Sequence, residues 1–167
     1  MKGELKSALK AAVDAALFDA AFAALVAGDE IEQQGERVRP AGRPWEPPAA
    51  TMAQLEQLER LLEADGYLVP DNAQWGAKLG AASAEVASLG HFLGRLVRVT
   101  TEFTYTAAQM TRLRASLDEW FATHEALTVS DLRGFTGASR KYAVPLLEHA
   151  DRVGWTVRVG DERKKGG

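Results

Sequence analysis

Three times along this 167-residue chain an apolar-periodic helix closes on a glycine and gives way to an alternating stretch with a turn in it. The segments are Phe22 to Arg39, Phe92 to Tyr105 and Leu146 to Lys164, and the closing glycines are Gly28, Gly94 and Gly154. Glycine is favoured there because a helix commonly ends on a residue of positive φ, and the alternation that follows reads as a short hairpin. The glycines stand 66 and 60 residues apart. That period exceeds most solenoid repeats and suits a complete small module of helix, short helix, helix and hairpin.

This element order is the winged-helix plan, so the expected fold class is mainly α with small β-hairpins (α+β), in tandem winged-helix modules. The last module, residues 107–165, is the clearest copy. Met110, Leu113, Leu117, Trp120 and Phe121 fall on one face of a helix from Ala107 to His124. Thr128 caps a short second helix with Asp131 three residues on, and Gly134 or Gly137 ends it. A third helix runs from about Ser139 to Val153, then Trp155, Val157 and Val159 alternate as a strand into a Gly160-Asp161 turn. Residues 49–106 repeat the plan more loosely, with helices at Thr51 to Asp65, about Ala73 to Gly80 and about Ser83 to Leu93, and a hairpin from Arg95 to Tyr105. Residues 1–44 hold only the last two helices and the wing of a module, a partial copy whose first helix is missing. Arg39 to Pro48 is dense in proline and glycine and reads as a linker. Tyr105 passes into the next helix without a spacer, which points to a fixed relation between the last two modules.

No apolar run approaches the roughly 20 residues of a membrane span, and the lysine-dotted N-terminus has no continuous apolar block of a secretory signal. Zero cysteines exclude a disulfide framework and thiolate metal sites, and a reducing cytoplasm is the natural compartment. The phosphate loop G-x-x-x-x-G-K-[ST] and a G-x-G-x-x-G fingerprint are missing. His91, His124 and His149 lie in separate helices without i, i+4 metal spacing, so no catalytic or metal residue is expected. The net charge of −3 conceals a division. Residues 1–106 carry 10 Lys/Arg against 15 Asp/Glu, whereas residues 107–167 carry 10 against 8. Because neutralising phosphates dominates nucleic-acid affinity, a polyanion site belongs in the C-terminal third.

Within that third, Gly137-Ala138-Ser139-Arg140-Lys141-Tyr142 opens the third helix. Free backbone N–H groups, the positive end of the helix dipole, a hydroxyl and two cations meet in one turn, which suits a phosphate. Tyr142 adds a face on which an unstacked base can lie. The same residues also fit an N-cap serine, two solvated cations and a tyrosine packed on the core. Pro145 either weakens the helix after its first turn or stands in the first turn of a helix that begins nearer Val144.

The stretch S-R-K-Y-A-V-P-L-L-E-H-A-D-R-V-G-W-T-V-R-V-G-D, Ser139 to Asp161, resembles the final winged helix of the bacterial selenocysteine-specific elongation factors, the SelB family. Its pattern is close to [ST]-R-K-x-A-[LVI]-P-[LI]-L-E-x-x-D-x-x-G-x-T-x-R-x-G-[DN], and weaker similarity runs back through the rest of the chain. The resemblance implies a region that binds an mRNA hairpin, the selenocysteine insertion element, and tethers the factor to the recoded UGA. It implies that Ser139, Arg140 and Lys141 contact the hairpin backbone or its extruded bases, with Arg158 and Arg163 on the wing nearby and Arg152 contributing. The GTPase body, with its GTP and magnesium, and the contacts to selenocysteinyl-tRNA and the ribosome would belong to other parts of such a factor. The partial first module and the Gly-Gly terminus are what a fragment would have. The chain is expected to be a non-catalytic cytoplasmic monomer with no cofactor of its own. Two other readings share the fold: a DNA-binding transcriptional regulator with the same helix in a major groove, and a protein-interaction adaptor whose basic turn is solvated surface.

Overall fold

The computed structural model describes residues 1–10, 12–42 and 46–167. The chain divides between Glu46 and Pro47 into two compact units. The first contains α1 (Lys2–Leu9), α2 (Ala15–Ala27) and a hairpin of β1 (Ile31–Gln34) and β2 (Arg37–Pro40). Asp14 caps α2 by accepting from the backbone N–H groups of Ala16 and Leu17, both at 2.9 Å. Arg39 and Pro40 belong to β2, so the linker is shorter than the Pro/Gly composition implied, and its Arg43, Pro44 and Trp45 lie outside the described residues.

The buried hydrophobic side chains described in this unit are Phe18 and Phe22, stacked with centroids 5.8 Å apart. Lys2 and Lys6 lie over these rings, and Lys6 also pairs with Asp19 at 2.6 Å. Leu5, Leu9, Leu17, Leu25 and Val26 are exposed. Burial is the main source of helix stability in a short element, so α1 and α2 are expected to exchange their amide protons through local opening. Hydrogen exchange followed by mass spectrometry should show them protected far less than the helices Ala49–Glu63, Ala107–Phe121 and Arg140–Arg152 of the second unit; equal protection would contradict this.

The second unit holds two sets of three helices and a hairpin. The first set is α3 (Ala49–Glu63), α4 (Asn72–Leu79), α5 (Ser83–Phe92), β3 (Leu96–Arg98) and β4 (Thr104–Thr106). The second is α6 (Ala107–Phe121), α7 (Val129–Thr136), α8 (Arg140–Arg152), β5 (Thr156–Val159) and β6 (Glu162–Lys165). A short 3-10 turn, Gly80–Ala82, joins α4 to α5. Among the described residues every sheet is a two-stranded antiparallel hairpin, as expected of α+β winged helices. Capping boxes start α4 (Asp71 with Gln74), α6 (Thr106 with Gln109) and α7 (Thr128 with Asp131), so each helix begins where its sequence satisfies the free N–H groups.

Helix ends follow a shared geometry. Arg95 N–H bonds the Gly90 carbonyl and Gly94 N–H that of His91, with Gly94 at φ +67°. Trp155 to Ala150 and Gly154 to Asp151 repeat this, with Gly154 at φ +80°. The first unit departs from expectation. Gly28 has φ −86°, and the left-handed residue is Asp29 at φ +53°, because Glu30 and Asp29 make the corresponding bonds to Leu25 and Val26. The motif is there, shifted by one residue onto an aspartate, one of the non-glycine types that tolerate that region.

One hydrophobic core runs through both sets of the second unit, from Leu55, Leu58, Leu62, Val86 and Leu96 to Leu113, Leu117, Leu132, Leu146 and Leu147. Gln109, fully buried, joins the two halves. Its amide nitrogen donates to the carbonyls of Leu62, at 2.7 Å, and Gly66, capping the end of α3. Its oxygen accepts from Thr106 N–H at 2.8 Å, capping the start of α6. Tyr67 donates to the Gln109 carbonyl, and Tyr105 donates to that of Tyr67.

Candidate nucleic-acid interface

Gly137, at φ +68°, ends α7 and turns the chain so that buried Ala138 anchors the start of α8. Ser139 is the N-cap, with extended backbone angles and no side-chain cap bond, and its carbonyl accepts from Tyr142 and Ala143 N–H at 3.0 Å. The Ser139 hydroxyl and the first-turn N–H groups of Arg140 and Lys141 therefore lack an acceptor within the helix. The helix starts at Arg140, which makes Pro145 an interior proline and denies the Lys141 carbonyl its usual donor.

Arg140, Val144 and Glu148 recur every four residues and share one face of α8. That face forms one wall of a cleft of about 440 Å³. Thr128, Val129 and Ser130 at the start of α7 form the second wall, and Arg158, Asp161 and Arg163 on the wing form the third. Arg140 is exposed and makes no hydrogen bond or ion pair with the described residues. Arg158 is exposed too, its Nε donating to the Gly160 carbonyl of its own turn at 3.0 Å. Asp131 is held below the usual carboxylate range by the Thr128 hydroxyl and N–H, and so stays occupied in the α7 cap. The second wall and Glu148 escaped the sequence reading, although the four-residue spacing from Arg140 was there to be read.

The remaining candidates lie elsewhere. Arg163 is 3% exposed; its Nε lies 3.4 Å from Asp151, and its backbone pairs with Leu127 in both directions at 2.8 Å. Asp151 also accepts from the Thr156 hydroxyl at 2.6 Å, so this cluster pins the wing to α8. Lys141 and Tyr142 turn from the cleft towards Phe103 of the preceding hairpin. The Lys141 ammonium sits 5.3 Å from the Phe103 centroid, and the Tyr142 ring 5.1 Å from it at 50°. Arg152 donates to the Val99 carbonyl at 2.8 Å. Of the seven residues named from sequence, Arg140, Arg158 and Arg163 line the cleft, Ser139 borders Arg140 in the chain, and Lys141, Tyr142 and Arg152 meet the preceding hairpin.

A family model described as the winged helix of elongation factor SelB matches residues 119–164, which carry α7, α8 and the wing. The last module is thus similar to the SelB winged helix. A selenocysteine-specific elongation factor of Desulfomicrobium baculatum is 28% identical over 102 residues, 59% of this chain and 16% of that protein. The chain therefore spans less than a fifth of the length of that curated relative. Two solved structures share the fold. The mRNA-binding domain of E. coli SelB, solved in complex with SECIS RNA, aligns with a TM-score of 0.60 at 17% identity, covering 72% of this chain and all of that one. A bacterial selenocysteine-specific elongation factor, EF-Sec, aligns with a TM-score of 0.62 at 19% identity, covering 86% of this chain and 23% of that one.

The matched segment also contains a titratable residue whose burial has a consequence for stability. His149 is 7% exposed beneath the edge of Trp155, and Arg152 lies 3.0 Å from its Nδ1. Burial first, and the Arg152 charge second, hold its pKa below the ordinary histidine value of 6.5. The unfolded chain then binds a proton that the folded chain refuses, so stability is full above pH 6.5 and falls as pH drops towards the folded pKa. His149→Gln should flatten the fall in urea midpoint between pH 7.5 and 5. An identical slope in both proteins would rule out this contribution.

Proposed function

We propose that this chain is the mRNA-hairpin binding region of a selenocysteine-specific elongation factor, divided into a partial module at residues 1–44 and winged helices at 49–106 and 107–165. The observation that carries the reading is the cleft between α8 and the wing, which Arg140 and Arg158, neither in an ion pair with the described residues, both line within the family-matched segment. The E. coli mRNA-binding domain, which shares this fold, was solved with SECIS RNA bound. Phosphates of a stem fit the two guanidiniums. Unpaired bases fit the cleft better than a paired stem does, because the A-form major groove is too deep and narrow for these short elements. Ser139, Arg140, Lys141, Tyr142, Arg152, Arg158 and Arg163 remain the proposed site residues, with Ser139, Arg140 and Arg158 reaching the RNA, Lys141, Tyr142 and Arg152 holding α8 against the preceding hairpin, and Arg163 positioning the wing. The chain tethers the factor and performs no chemistry; GTP hydrolysis with magnesium, selenocysteinyl-tRNA and the ribosome are assigned to the factor as a whole, in the cytoplasm. No helix among the described residues is long and apolar enough to cross a membrane.

Fluorescence anisotropy with a bulged hairpin, a fully paired hairpin of equal length and duplex DNA tests this directly. The bulged hairpin should win competition by roughly tenfold or more, since each lost base contact costs about 1–3 kcal/mol. Equal affinity for all three would reduce the cleft to a basic surface, and preference for duplex DNA would favour a transcriptional regulator.

A further inference from the structure

We propose that Phe103 and the Val99 carbonyl, at the tip of the β3–β4 hairpin, brace α8 of the next module and act as positioning residues for RNA binding. The inference rests on the hairpin-binding reading. The tip is itself held firmly. Val99 and Thr100 N–H bond the Phe103 carbonyl at 3.0 and 3.2 Å, and the Thr100 hydroxyl accepts from Glu102 and Phe103 N–H. Asn72, at the start of α4, donates from its backbone to the Glu102 carbonyl at 2.7 Å and from its side chain to that of Thr101 at 3.0 Å. Val99 and Phe103 are 1% and 2% exposed.

This fixed tip grips α8 at two places. Near the N-terminus, Tyr142 packs on the Phe103 ring and the Lys141 ammonium lies within cation–π range of both rings. At the C-terminus Arg152 donates to Val99. Lys141 and Arg152 are eleven residues apart, which returns them to one side of the helix about 16 Å apart along its axis. Two contacts that far apart fix both the rotation and the tilt of α8, and thereby where Arg140 points. The adjoining face, Arg140, Val144 and Glu148, is the wall of the cleft. The wing of one module thus braces the helix with which the next reads RNA, and it does so without touching the RNA.

The test uses the full chain and a bulged hairpin. Phe103→Ala should weaken binding by roughly 3- to 30-fold at temperatures where circular dichroism shows it folded, and Phe103→Leu, which keeps most of the packing, should recover much of that loss. Arg152→Ala should weaken binding with no change in the dependence of affinity on salt, since a residue that braces neutralises no phosphate, whereas Arg140→Ala should lower that slope by about one unit. Wild-type affinity in folded Phe103→Ala, or a slope lowered by about one in Arg152→Ala, would overturn the brace. Should Phe103→Ala fail to fold, Phe103→Leu and Arg152→Ala decide by the same criteria. If Arg140→Ala itself binds normally, the hairpin-binding reading fails, a result distinct from failure of the brace alone.

Discussion

Replacing Arg140 and Arg158 together by alanine is expected to weaken binding to a bulged hairpin by about 2 to 6 kcal/mol. Each charge-assisted contact to a phosphate contributes about 1–3 kcal/mol, and the two add if they meet different phosphates. They stand on different walls of the cleft, one on the helix and one on the wing. Neither is tied up in an ion pair with the described residues, so removing them leaves no buried partner stranded and the fold should survive. The slope of log K against log salt should fall by about two units. Titration of the double variant at four or more salt concentrations checks both numbers. An affinity loss without a change of slope would mean that the arginines act on bases or on each other's placement instead of on phosphate.

Gln109→Leu is expected to lower stability by about 3 to 5 kcal/mol with little change in side-chain volume. The amide satisfies the Leu62 and Gly66 carbonyls and the Thr106 N–H, all in or near the core. Each such group left unpaired costs about 1–3 kcal/mol. Because Gln109 caps the end of α3 and the start of α6 at once, the loss should fall on both modules together, as one cooperative transition at lower urea. Denaturation followed by tryptophan fluorescence reads this, Trp75 reporting the first half and Trp120 and Trp155 the second. A shift under 1 kcal/mol would mean that water reaches the three groups once the amide is gone.

Much of the architecture was legible because it is written in local rules. Thr128 with Asp131, Gly94, Gly154 and the Gly160-Asp161 turn each satisfy backbone groups within a few residues, so their chemistry can be read without knowing the fold. Where a local rule has two solutions the reading slipped: at the end of α2 both Gly28 and Asp29 fit, and the left-handed residue is the aspartate. The same holds for the choice between Gly134 and Gly137, settled at Gly137 by its φ of +68°.

The sequence by itself determined that a basic turn opens α8, that a hairpin follows it, and that the C-terminal third is the cationic part, since charge count and helix-start chemistry are properties of neighbouring residues. Tertiary structure alone decided how that turn divides. Consecutive residues of a helix lie about 100° apart, so Arg140 faces the cleft while Lys141 and Tyr142 turn to Phe103, nearly forty positions earlier in the chain. Arg163, a wing cation like Arg158 by sequence, is 3% exposed because it pairs with Asp151 and Leu127. Gln109, an ordinary polar residue by composition, is fully buried where the two halves of the second unit meet. Each of these outcomes depends on a partner distant in sequence, and periodicity and spacing describe only the element to which a residue belongs.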